Sequence, residues 1–244
     1  MKFTRKILTT ASVAVVVCGV TAGIAPAGAS ATGGSATAAG CAANDVVPPV
    51  GAGQAVGSDL DGDGRADTIW LADRTGPDGG LIRTLGVRTA SGAGFTTTFT
   101  SASPVAASAV SGRVGGGTPI ILLDFTRSAV LYTVKDCSIQ KSLNVQGNQY
   151  TFDRQLLTGY GTGAGCPVIG DTGRQLVGYK AVSNDDEGTS YTVTRTTILL
   201  SDGGRQARNG TTVTLGRSLS PTSTAVRTAQ AVSCGANPKA FEPA

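Results

Sequence analysis

The sequence predicts an all-β fold of antiparallel sheets. From Asp45 to Cys234, apolar and β-branched runs of about four to eight residues alternate with glycine-rich turns. Beyond the N-terminal segment no stretch keeps a helical period. Related segments also recur: Val56-Gly57-Ser58-Asp59, Val110-Ser111-Gly112-Arg113 and Val168-Ile169-Gly170-Asp171 start 54 and then 58 residues apart. Each is followed by a glycine-bearing loop and an apolar run, namely Ile69-Trp70-Leu71, Ile120-Ile121-Leu122 and Leu176-Val177-Gly178.

The chain opens as a secretory signal. Lys2, Arg5 and Lys6 form a positive start, Ile7 to Val20 is apolar, and Ala27-Gly28-Ala29 offers small residues for cleavage. Ala29-Ser30-Ala31 is a second acceptable cut, so residues 1–29 are expected to leave. An uncleaved anchor is the competing reading, but Thr9, Thr10, Ser12 and Gly19 dilute the apolar run. Lipidation at Cys18 is disfavoured by Val15-Val16-Val17, which supplies no small residue before the cysteine. Residues 30–44 read as a flexible small-residue leader, 45–236 as the β domain and 237–244 as a tail. No stable membrane insertion is expected after cleavage.

Cleavage changes the charge. Three of the 20 basic residues leave and none of the 16 acidic ones, so 17 remain against 16, and the pI of 8.9 belongs partly to the precursor. A near-neutral chain has no electrostatic footprint for nucleic acid. The remaining basic residues are mostly arginine and scattered, which suggests a GC-rich bacterial genome. Cys41, Cys137, Cys166 and Cys234 imply two disulfides in an exported protein. The expected pairing is Cys41–Cys234, tying the two ends of the domain, with Cys137–Cys166; the other pairings stay open.

Asp59-Leu60-Asp61-Gly62-Asp63-Gly64-Arg65-Ala66-Asp67 carries the explicit chemistry. Carboxylates at alternate positions of a tight loop can converge on one centre while glycines let the backbone curl. Calcium takes six to eight oxygen ligands in a forgiving geometry. Asp59, Asp61, Asp63 and Asp67 would offer side chains, and Arg65 its backbone carbonyl with its side chain pointing away. A solvated acidic turn is the alternative. The helix–loop–helix type of calcium loop closes on a glutamate at position 12. Trp70 stands there instead, on a run that reads as a strand.

Asp-Leu-Asp-Gly-Asp-Gly-Arg-Ala-Asp-Thr-Ile-Trp resembles the FG-GAP/VCBS repeat, strongly over residues 56–72. The resemblance implies a β-propeller-like arrangement of about three degenerate repeats, each aspartate loop joining strands of a blade. It implies that Asp59, Asp61, Asp63, Arg65 and Asp67 hold Ca2+, and an extracellular role in adhesion or ligand binding. The second copy has Arg113-Val114-Gly115-Gly116-Gly117 and the third keeps only Asp171-Thr172-Gly173, so one ion is expected. Closed propellers usually need at least four blades, and ring closure stays open.

The expected strands are Thr68–Leu71, Leu81–Arg88, Phe95–Thr100, Pro119–Leu123, Ala129–Val134, Tyr150–Leu157, Leu176–Val182, Tyr191–Leu200, Thr211–Leu215 and Thr224–Val232. Asp78-Gly79-Gly80, Gln146-Gly147-Asn148, Asp202-Gly203-Gly204 and Asn209-Gly210 mark turns. Trp70 is expected in the core.

The chain has no histidine, so Ser-His-Asp and Cys-His catalysis cannot be built. The remaining route is a carboxylate pair. Outside the loop the acidic cluster is Asp185-Asp186-Glu187, flanked by Asn184 and Gly188 and expected at a solvated hairpin tip. The expected function is a secreted, non-catalytic, calcium-binding module for an extracellular protein or glycan. A small carbohydrate-active enzyme using Asp185 and Glu187 is the alternative.

Overall fold

The computed structural model describes residues 40–101, 105–154 and 160–243. The expected signal, most of the leader and the 155–157 end of one expected strand lie outside these residues. β1 (Gly53–Val56), β2 (Thr68–Thr75), β3 (Leu81–Arg88) and β4 (Gly94–Phe99) form an antiparallel meander in chain order. β5 (Ser108–Val114), β6 (Thr118–Asp124), β7 (Ser128–Lys135) and β8 (Ser138–Lys141) form a second sheet. There β9 (Thr151–Asp153) pairs with the Ser128 end of β7 and β8 with the Lys135 end. β10 (Tyr160–Gly165), β11 (Val177–Ser183), β12 (Tyr191–Ser201) and β13 (Gln206–Leu219) form a third meander. Helix α1 (Thr224–Ala229) follows, and the chain returns as β14 (Ala240–Phe241) on the free edge of β5. None of these sheets closes into a barrel.

Side-chain alternation explains the layering. On β6, Ile121 and Leu123 enter a core shared with Ile69, Leu71, Leu85 and Val87 of the first sheet. Ile120 and Leu122 enter a second core with Leu176, Ile198 and Ala207 from the third sheet and its flanks. The second sheet is therefore covered on both faces, which is why Ile120-Ile121-Leu122-Leu123 is an unbroken apolar run rather than an alternating one. Trp70 is buried on the other face of the first sheet, its indole against Gly86, its cross-strand partner.

Four expectations need correction. Residues 224–232 were expected as a strand, but Thr224–Ala229 is helical. Ser223 caps it by accepting from the Val226 N–H, and Val226 and Ala229, three apart, face the third sheet. One turn and a half is too short for a periodic signal. Asn209-Gly210 lies inside β13, and the β12–β13 connection is made by the Asp202–Gly204 turn and Arg205. Residues 237–243 of the expected tail are not free. β14 pairs with β5, and Glu242 is buried against Arg83 of β3 and the Ala107 N–H.

The cysteine pairing also differs: the bridges are Cys41–Cys137 and Cys166–Cys234. Residues 231–233 run beside β10, with Ala164 N–H donating to Ala231 O and Ser233 N–H to Ala164 O, both at 3.0 Å. That register delivers Cys234 to Cys166 just past the end of β10. Cys137 sits in the tight β7–β8 turn and reaches Cys41, a buried member of the first core although it falls within the expected leader. The two ends of the domain do meet, but through backbone: the Phe241 carbonyl packs on Gly53, where a Cβ would lie 1.6 Å from it.

Candidate metal centre

The aspartate loop is the β1–β2 connection. The hairpin ladder continues into it, with Gly57 N–H donating to Asp67 O at 2.8 Å and Asp67 N–H to Ser58 O at 3.3 Å. Between those ends Gly62 and Gly64 both take φ of 84°, which only glycine adopts without strain. Glycine-bearing connections at or after the related segments lie between paired strands in the other sheets, although Val110–Arg113 itself is within β5. Gly115–Gly117 joins β5 to β6, and the 310 turn Gly170–Thr172 lies between β10 and β11. The loops also touch in series: Arg113 reaches Asp59, and Gly115 N–H donates to Arg174 O at 2.9 Å.

Three of the four expected carboxylates come together. Asp59, Asp61 and Asp67 each place an oxygen within 4.8 Å of the others. Oxygens sharing one calcium at 2.3–2.6 Å stand no more than about 5 Å apart, and carboxylate oxygen is the donor type that ion prefers. The donor set therefore fits a hard divalent cation. Asp67 is fully buried and accepts from Leu60 N–H at 2.6 Å, Asp61 N–H at 3.3 Å and Ala90 N–H at 2.9 Å. Burial, and to a lesser degree the charge of Asp61, push its pKa above the ordinary carboxylate value against the pull of those amides. Asp61 accepts from the Cys41 N–H, with Ser91 Oγ also 2.9 Å from its Oδ2. Asp59 accepts from Gly62 N–H at 2.6 Å and Gly64 N–H at 3.1 Å.

Asp63 is the exception. Its carboxylate accepts from Arg65 N–H at 2.8 Å, Nε at 2.9 Å and Nη2 at 2.6 Å, and this pairing pulls its pKa down. The Arg65 side chain thus folds back into the loop instead of pointing away as expected. Two guanidinium groups attend the site, because Arg113 Nη1 lies 2.6 Å from Asp59 Oδ2. Arg113, Ser91 and Ala90 were not foreseen as neighbours of the loop. The one sequence signal was that Arg113 holds the Asp59 position in the second related segment.

The alternative carboxylate pair is poorly placed for acid–base work. Asp185 accepts from Thr189 N–H at 2.8 Å and Thr189 Oγ1 at 2.7 Å, and those bonds lower its pKa, opposite to the need of a general acid. It sits with Asp186 and Glu187 on the β11–β12 tip. Cavities of about 510, 450, 290 and 240 Å³ are lined by other residues. The 510 Å³ cavity presents Asn144, Gln146, Tyr150, Arg208 and Asn209 and no carboxylate. No helix among the described residues is long and apolar enough to cross a membrane. Comparison with family models, curated proteins and solved structures found no match to this chain.

Proposed function

We propose that this is a secreted, non-catalytic β-repeat protein of FG-GAP/VCBS type, whose β1–β2 loop binds one calcium ion. Its role is binding an extracellular protein or glycan, with propeller-like sheets as the scaffold. The observation that carries the reading is the convergence of Asp59, Asp61 and Asp67 within 4.8 Å on a loop turned by two left-handed glycines. Two disulfides agree with an oxidising, extracellular setting. Asp59, Asp61 and Asp67 would hold the ion, which supplies a divalent positive charge where three carboxylates meet.

Thermal unfolding with calcium and with chelator tests the reading. Extracellular calcium modules bind with Kd of about 10⁻⁴–10⁻³ M, so millimolar calcium adds about 1 kcal/mol by mass action. For a domain of this size the melting temperature rises by about 2–4 °C. Asp61→Ala removes the shift, magnesium gives less of it, and Asp171→Ala leaves it unchanged. Identical curves in calcium and chelator would refute calcium binding.

A further inference from the structure

We infer that Arg113 is a resident counter-ion of the loop, holding it together without calcium and lowering its affinity for calcium, an inference that rests on the calcium reading above. Arg113 belongs to β5 of the second sheet, and its guanidinium is aimed by its own hairpin. Nε donates to Gly117 O at 2.9 Å, which turns Nη1 across to Asp59 Oδ2 at 2.6 Å, with Asp59 O at 3.3 Å. Asp59 Oδ2 already accepts from the Gly64 N–H, and Oδ1 from the Gly62 N–H. An ion drawing on this carboxylate must therefore take Oδ2 from Arg113 or bind beside a fixed positive charge. Either course weakens binding.

The placement has a logic that follows from the related segments. Arg113 stands in the second segment where Asp59 stands in the first. Asp59 lies just past β1 in the β1–β2 connection and Arg113 one residue before the end of β5, so two adjacent hairpin ends put the positions face to face. The copy that lost its carboxylates supplies a cation to the copy that kept them. Arg65 does the same for Asp63 within the loop, but it is the more exposed of the two, with 58 % of its side chain accessible against 36 % for Arg113. Arg113 also spans two sheets. Calcium that displaces it would remove one tie between the β5–β6 hairpin and the β1–β2 loop, leaving the Ser58–Ser111 contact, and so link ion occupancy to the contact between layers.

Calcium titrations of the disulfide-intact mature protein decide the matter, read as melting temperature and as heat of binding. Arg113→Met and Arg113→Gln remove the charge; Arg113→Lys keeps it. A partly exposed pair of this kind is a modest interaction, so the neutral variants should bind calcium about three- to tenfold more tightly. In chelator they should melt below the wild type, and Arg113→Lys should lie between. A neutral variant that unfolds in chelator and folds in millimolar calcium also supports the inference. Wild type that binds calcium while the neutral variants bind equally or more weakly overturns it, as does a neutral variant unfolded under both conditions. If the wild type itself fails to bind calcium, the calcium reading falls and this inference with it.

Discussion

Changing Glu242 to Ala should destabilise the fold by about 3–5 kcal/mol, the usual cost of stranding one member of a buried ion pair. The two side chains are 4 % and 8 % exposed for Glu242 and Arg83. Arg83 Nε donates to Oε1 at 2.6 Å, Nη2 pairs with Oε2, and the Ala107 N–H donates to Oε2 at 2.9 Å. The guanidinium also lies over the Phe99 ring, 5.1 Å from its centroid. Removing the carboxylate leaves a buried cation and an unpaired amide. Asp73, the cross-strand partner of Arg83, is close enough to act on it electrostatically and should hold the loss toward the lower end. The melting temperature should fall by about 6–20 °C, since 1 kcal/mol corresponds to about 2–4 °C at this size. Urea unfolding should show a lower midpoint with an unchanged slope. Arg83→Met combined with Glu242→Leu should recover most of the loss, because an apolar pair needs no charge compensation. A loss below about 1 kcal/mol for Glu242→Ala would refute the docking of the C-terminal segment between the first two sheets.

Peptide mapping without reductant should recover Cys41 joined to Cys137 and Cys166 joined to Cys234; a Cys41–Cys234 peptide would contradict the fold. Gly86→Ala places a Cβ 1.9 Å from the Trp70 ring. It should cost about 1–3 kcal/mol as overpacking and red-shift the emission of the single tryptophan, and unchanged fluorescence and stability would count against that contact. Burial raises the Tyr150 pKa to about 12 from its ordinary 10.0. A raised folded-state value means stability fully present below pH 10 and lost as pH rises through about 12. Tyr150→Phe should flatten that alkaline decline, measured as urea midpoints across the range. An equal slope in both proteins would show that Tyr150 ionises as freely as in the unfolded chain.

Most strands were legible because their signals are local. β3 spans Leu81–Arg88 as its alternation and flanking glycines require, and β2, β7, β11 and β12 differ from expectation only at their ends. The acidic loop was plain as a glycine-hinged turn, but which of its carboxylates converge was not: Asp63 pairs with Arg65, while Asp67, six residues beyond Asp61, joins Asp59 and Asp61. Where propensity conflicted with packing, the sequence misled. Asn209-Gly210 is a good turn, but pairing with β12 holds it extended, and β14 is only two residues long and depends on β5 for its hydrogen bonds.

The residues themselves settled the β class, the extent of β3, β4, β6, β7, β11 and β12 to within a residue, and the place of the acidic loop, all set by neighbours within a few positions. Tertiary structure alone decided which cysteines meet, that Glu242 closes the first two sheets, and that Arg113 arrives opposite Asp59. Those contacts join residues up to 159 positions apart, as between Arg83 and Glu242. Spacing along the chain says little about separation in space once sheets stack, because the order and facing of the layers, not local conformation, bring such groups together.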